Sequence, residues 1–184
     1  VKIYKINNDI NLKYLNEYKN IYEFEMFIKD KKYLSEEYSK NIIEYISDYI
    51  YIEYNADAIV ARPLKKNQKT IKYYEKCNYK KINEYSRLNT INIKEDIVVM
   101  FNYIDKWKFA IDNDKLIELV LNGKKTATTS NYDESELPII GSKSIIRFDN
   151  DTNACVIKTV DYKIMKFSQM TEEFARLEGE GDLS

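Results

Sequence analysis

Gly123-Lys124-Lys125-Thr126-Ala127-Thr128-Thr129-Ser130 sets one glycine, two cations and four hydroxyls directly after an amphipathic stretch. In residues 114–121, Leu116, Leu119 and Val120 recur at helical spacing with Glu118 outside, which predicts a helix. Gly123 can supply the positive φ that ends it. Lysines and hydroxyls therefore gather where the chain turns, and the cluster reads as a site.

Working outward from that turn, composition divides the chain in two. All four glycines (Gly123, Gly141, Gly179 and Gly181) lie in the C-terminal part, whereas fifteen of the seventeen tyrosines fall at or before Tyr103. The shift marks a domain boundary near residues 102–106. A hydrophobic content of 44% over 184 residues supplies a real core, so global disorder is excluded. A net charge of −1 argues against a generally basic nucleic-acid-binding surface and leaves room for a local patch.

The chain contains no histidine, so the commonest general base and zinc ligand are both missing, and no metal site is expected. Cys77 and Cys155 are far apart and lack metal-ligand spacing; two buried thiols in a reducing compartment fit them better than a disulfide. No window has the apolar length of a bilayer span, and the first residues lack a signal peptide's apolar core. The expectation is a cytoplasmic protein without membrane contact.

Five pieces after residue 104 carry a family likeness. They are Trp107-Lys108-Phe109, the helix closing on GKKTATTS, Leu137-Pro138-Ile139-Ile140-Gly141, the strand-like Ala154-Cys155-Val156-Ile157-Lys158-Thr159, and residues 171–182 with their Gly-Glu-Gly-Asp word. Together, in this order, they resemble the ASCH domain, a small β-barrel family related to the PUA RNA-binding fold. Some small ASCH proteins resemble amidohydrolases that deacetylate N(4)-acetylcytidine. The likeness implies catalytic roles for Lys125, Thr128 and Glu178, and a ligand that is RNA or a modified nucleoside. A lysine beside a hydroxyl can serve as base with threonine as nucleophile, and a glutamate can orient the lysine or shuttle protons. Lys124, Thr126 and Ser130 are the expected substrate-binding neighbours. The bland alternative stays open: both lysines can be solvated cations near a helix C-terminus, and Glu178 and Glu180 ordinary surface carboxylates.

Before residue 104, Tyr22 to Ile28 alternates like a half-buried strand, and Tyr38, Ile42, Ile46, Tyr49 and Ile50 predict a helix over residues 36–54. Ala58-Ile59-Val60-Ala61 reads as a short buried strand stopped by Pro63. Asn67 can cap a second helix carrying Ile71 and Tyr74 inward, with Asn78 in the left-handed conformation at its end. Strands are expected at residues 79–82 and 96–103. The words Glu25-Met26-Phe27-Ile28, Ala56-Asp57-Ala58-Ile59-Val60 and residues 67–79 resemble the C-terminal half of the GNAT acetyltransferase superfamily, nearest its aminoglycoside 6'-N-acetyltransferase-like branch. This implies acetyl-CoA as cofactor, with Asn67 near the pantetheine arm and Tyr74 able to protonate the departing thiolate. Tyr73 and Tyr74 are more often helix-packing residues than catalytic ones.

That family places glycines ahead of its long helix so that bare N–H groups approach the diphosphate. Here Glu37 and Ser39 stand in their place and Glu36 adds a second carboxylate, so tight acetyl-CoA binding is not expected. The acceptor side of the acetyltransferase and the last helix and strand of the ASCH barrel are expected to be missing, and exposed strand edges then favour self-association. The resulting expectation is an α+β chain: a partial GNAT-like mixed sheet with two helices over residues 1–104, then a PUA-like β-barrel with a helix before the GKKTATTS turn over residues 105–184. An ASCH-type RNA or nucleoside site, an acetyltransferase and a non-catalytic RNA-binding fusion are the three functions carried forward.

Overall fold

An apolar run has no polar face to offer water, and the chain places its clearest one at the middle of a sheet. The computed structural model describes residues 1–7, 9–33 and 35–179, which fall into two units divided between Ile104 and Asp105. The first unit holds β1 (Lys2–Lys5), β2 (Ile21–Glu25), β3 (Ala58–Ala61), β4 (Lys80–Leu88) and β5 (Lys94–Asn102), in the spatial order β1-β2-β3-β5-β4. Every residue of β3 is buried. Only β2 and β3 run parallel; the other neighbours are antiparallel.

Strand alternation sends side chains to two different covers. On one face, Ile21, Ala58, Val60, Val99 and Phe101 pack with Leu12 and Leu15 from a 3-10 segment, Ile10–Leu15. On the other face lie α1 (Glu36–Glu53) and α2 (Gln68–Lys76): the Phe24 ring meets Tyr74, and Tyr51 donates from its hydroxyl to Asn102 Oδ1 at 2.7 Å. Ser35 caps α1 by accepting from the Tyr38 N–H. Its buried stripe is Ser39, Ile43, Ile46, Ser47, Ile50 and Tyr51. Each buried isoleucine there contributes about 1.5–3 kcal/mol. The expected Tyr38 and Tyr49 are instead exposed. The stripe accepts a serine because Ser47 Oγ donates to the Ile43 carbonyl at 2.7 Å and lies 2.8 Å from the Tyr79 hydroxyl.

The second unit contains β6 (Asp105–Trp107), α3 (Asn113–Leu121), β7 (Lys143–Arg147), β8 (Asn153–Lys158) and α4 (Glu172–Glu178). Its sheet runs β6-β7-β8, with β6 parallel and β8 antiparallel to β7. The expected β-barrel is not formed among the described residues: the unit's strands make this open three-stranded sheet, whose outer strands β6 and β8 do not pair with each other. Ile117 of α3 is fully buried against Ile146 and Ala154, with Trp107, Phe109 and Val120 around them. Asn113 fixes the start of α3: its Nδ2 donates to the Arg147 carbonyl at 2.9 Å, and its Oδ1 accepts from the Phe109 N–H at 2.9 Å.

Candidate functional site

The turn after α3 is built by its glycine and completed by another helix. Gly123 has φ +69°, and the N–H groups of Lys124 and Lys125 both donate to the Leu119 carbonyl, at 2.9 and 3.0 Å. A helix leaves its last carbonyls without partners of its own. In α4 these are taken up by the turn: the N–H groups of Thr126 and Ala127 donate to the Leu177 carbonyl at 2.7 and 3.0 Å, and Lys125 Nζ donates to the Glu178 carbonyl at 3.0 Å. Gly179 ends α4 at φ +69°, where a Cβ would stand 3.0 Å from the Lys124 carbonyl oxygen. Only glycine fits that approach.

Lys125 is consequently buried, at 4% exposure, which few lysines tolerate without compensation. Besides the Glu178 carbonyl, its Nζ lies 5.4 Å from the Phe109 ring centre. Phe109 is held edge-on by Trp107 at 4.9 Å, and Trp107 Nε1 donates to Ser144 Oγ at 3.0 Å. The side chain of Glu178, the residue whose carbonyl Lys125 meets, carries an anomaly of its own: its Oε1 is buried and accepts no hydrogen bond among the described residues. An unpaired buried acceptor costs about 1–3 kcal/mol.

The structure thus brings Lys125 and Glu178 together. Thr128, Lys124, Thr126 and Ser130 are exposed, with Thr126 anchored through its backbone. The Gly181 end of the acidic word, and Glu180 with it, lie outside the described residues. Phe109 and Gly179 join the site without a signal of their own in the sequence, although both sit inside the family-like words.

The first unit treats its candidates differently. Asn67 Oδ1 accepts from the Thr70 N–H at 3.2 Å and so caps α2. Tyr74 is buried, with ring centres 4.9 Å from Tyr79 and 6.1 Å from Phe24; burial pushes its phenol well above the ordinary value. Pairing between the parallel strands ends at Glu23 and Val60, although β2 continues to Glu25. At the start of α1, Glu36 pairs with Lys76, which holds its carboxyl below the usual range, and Glu37 follows. Burial raises the Glu23 carboxyl against the pull of Arg62, whose guanidinium also reaches Asp9 at 2.7 Å. Both cysteines are free thiols; Cys77 is buried, and burial raises the Cys155 thiol.

Among the described residues no group of acidic or thiol side chains is arranged to hold a metal, and no helix is long and apolar enough to cross a membrane. Residues 105–184 match the family model of the ASCH domain. A search of curated proteins finds no match. Solved structures with similarity include a spermidine N-acetyltransferase from Vibrio cholerae in complex with CoA and spermine, at 20% identity and TM-score 0.40 over 45% of this chain and 49% of that one. A dodecameric form of that enzyme gives 20% identity and TM-score 0.40 over 45% and 48%. An aminoglycoside N(6')acetyltransferase from Legionella pneumophila gives 14% identity and TM-score 0.39 over 46% of each chain. The chain spans about half the length of these structures.

Proposed function

We propose that residues 105–184 bind RNA or a modified nucleoside and hydrolyse an acyl amide on it, N(4)-acetylcytidine being the representative substrate, with residues 1–104 as an accessory part. The observation that carries this reading is a lysine buried at 4% exposure and fixed against Glu178, whose Oε1 is buried without a hydrogen-bond partner among the described residues. Such a pair is costly as scaffold and apt as proton-transfer machinery. In this reading Lys125 is the base that takes the Thr128 hydroxyl proton while its Nζ stays against the Glu178 carbonyl. Thr128 Oγ then attacks the acyl carbon, the C–N bond breaks, and the leaving amine takes its proton through Glu178. Water hydrolyses the resulting threonine ester and releases acetate. Lys124, Thr126 and Ser130, all exposed, supply a cation and hydroxyls to the sugar or phosphate.

Acetate release from N(4)-acetylcytidine by the whole chain tests this. Lys125→Ala is expected to lower the rate by about 100-fold or more, the usual contribution of a positioned base. No acetate from the folded wild-type chain sinks hydrolysis and leaves a non-catalytic binding fusion.

Acetyl transfer by residues 1–104 is a second reading, favoured by the early end of pairing between β2 and β3: ligands of open α/β sheets bind where the carboxyl ends of parallel strands part. Against it stand the Glu36 and Glu37 carboxylates at the start of α1, where an anion would have to sit. Calorimetry with acetyl-CoA separates the two, since submicromolar binding would require those carboxylates to be displaced.

A further inference from the structure

Residues 65–81, Lys-Lys-Asn-Gln-Lys-Thr-Ile-Lys-Tyr-Tyr-Glu-Lys-Cys-Asn-Tyr-Lys-Lys, hold seven lysines and one glutamate, a charge of +6 in a chain whose total is −1. All seven lysines are exposed. Because α2 buries Ile71, Tyr73 and Tyr74, it turns Lys69, Lys72 and Lys76 outward at spacings of three and four residues, and Lys65 and Lys66 precede them at the turn. Lys65 and Lys81 pair with Glu84, and Lys76 with Glu36. Counting Glu36, Glu75 and Glu84 against the seven lysines leaves +4. Exposed pairs of this kind are weak, so a denser anion displaces their carboxylates readily.

We infer that the lysine row along α2 is a docking surface for the phosphate backbone of single-stranded RNA. Length supports the choice: Lys69 to Lys76 spans about 10 Å of helix, so one strand can meet more than one of these lysines at successive phosphates. The outward residues of α2 are Gln68, Lys69, Lys72, Glu75 and Lys76, with no large apolar side chain to insert into a bilayer. The same absence removes the aromatic or aliphatic anchor on which a protein partner's affinity depends. The surface lies in the first unit and does not depend on hydrolysis by residues 105–184.

The test is fluorescence anisotropy of a labelled mixed-sequence RNA of about twenty nucleotides titrated with the whole chain at several KCl concentrations. Four lysine–phosphate contacts predict a slope of log K against log[KCl] of about −3, at about −0.7 per contact. The triple variant Lys66→Gln, Lys69→Gln, Lys72→Gln is expected to flatten the slope by about 2 and weaken binding at least about tenfold at 100 mM KCl. These exposed positions leave the fold intact, which a melting curve checks. RNA binding without acetate release would retire the hydrolase reading while keeping this one. A triple variant with the wild-type slope overturns the proposal, as does lysine-dependent binding to phosphatidylserine vesicles in place of RNA, or no RNA binding at all.

Discussion

Asn67 and Tyr74 in the first unit and Lys125 and Glu178 in the second stand in family-like words of the same kind, yet folding uses them in opposite ways. Asn67 spends its side-chain oxygen on a helix cap, and Tyr74 spends its ring on Phe24 and Tyr79. Ordinary helix and core chemistry accounts for both. Lys125 lies buried at a junction between two helices that are distant in sequence, and Glu178 keeps a buried oxygen without a hydrogen-bond partner among the described residues. A residue becomes a credible site when the fold holds it at a cost and leaves its chemistry unspent. By that measure the second unit carries the stronger candidate.

The largest effect that could break this comparison is expected at Gly179. Alanine there must hold φ +69° and set its Cβ 3.0 Å from the Lys124 carbonyl oxygen, so the end of α4 has to retreat from the turn. The left-handed conformation alone costs a non-glycine residue about 1–3 kcal/mol. Gly179→Ala is therefore expected to lower stability in urea by at least that much and to speed amide exchange at Thr126 and Ala127, whose N–H groups donate to the Leu177 carbonyl. Wild-type exchange at those two amides in the variant would show that the junction does not depend on this approach.

A smaller effect sharpens the contrast from the other side. As a cap, Asn67→Ala is expected to cost about 1 kcal/mol, with Asn67→Ser recovering most of it. Tyr74→Phe keeps both ring contacts, and is expected to change stability by less than about 1 kcal/mol. Neither substitution should alter acetate release. If Asn67→Ala left stability untouched and weakened acetyl-CoA binding measured by calorimetry, the first unit would hold a working cofactor site and the comparison would reverse.

What the sequence revealed, and what it hid, divides along the reach of the interactions. Ala58–Ala61 is a buried strand at the expected residues, and Asn67, Asn78 and Gly123 adopt the expected cap and left-handed roles, because each is decided by a few neighbouring residues. The inner face of α1 is legible only in part: Ile46 and Ile50 are buried as expected and Tyr38 and Tyr49 are exposed, since which residues of that helix face the sheet depends on partners such as Tyr79 that pack from elsewhere. β1, with three of its four residues exposed or charged, gives little periodic signal, and β7 was overlooked because Lys-Ser-Ile-Ile-Arg does not alternate. The family likeness named Lys125 and Glu178 together. It could not say that the lysine meets the glutamate's backbone carbonyl, that Gly179 closes on the Lys124 carbonyl, or that Phe109 lies under the lysine, because the first two contacts join segments more than fifty residues apart and the third crosses the whole of α3.

The smallest effect concerns the start of α1, where the two units differ in what an anion would meet. Lys76 holds the Glu36 carboxyl below its ordinary 4.5. A carboxyl depressed in the folded state stabilises above its unfolded pKa, and that contribution is lost as pH falls through the folded value. The stability of wild type over Glu36→Gln is thus expected to be present at pH 7, to shrink as pH drops below about 4.5, and to vanish once Glu36 is protonated. High salt should shrink it as well, because the pair is exposed. The same variant also asks whether carboxylates alone keep an anion from this helix end. If Glu36→Gln combined with Glu37→Gln binds acetyl-CoA when the wild type does not, the first unit keeps the shape of a cofactor site behind a charge barrier; if binding stays absent, side-chain bulk where glycine is expected, at Glu37 and Ser39, is what closes it.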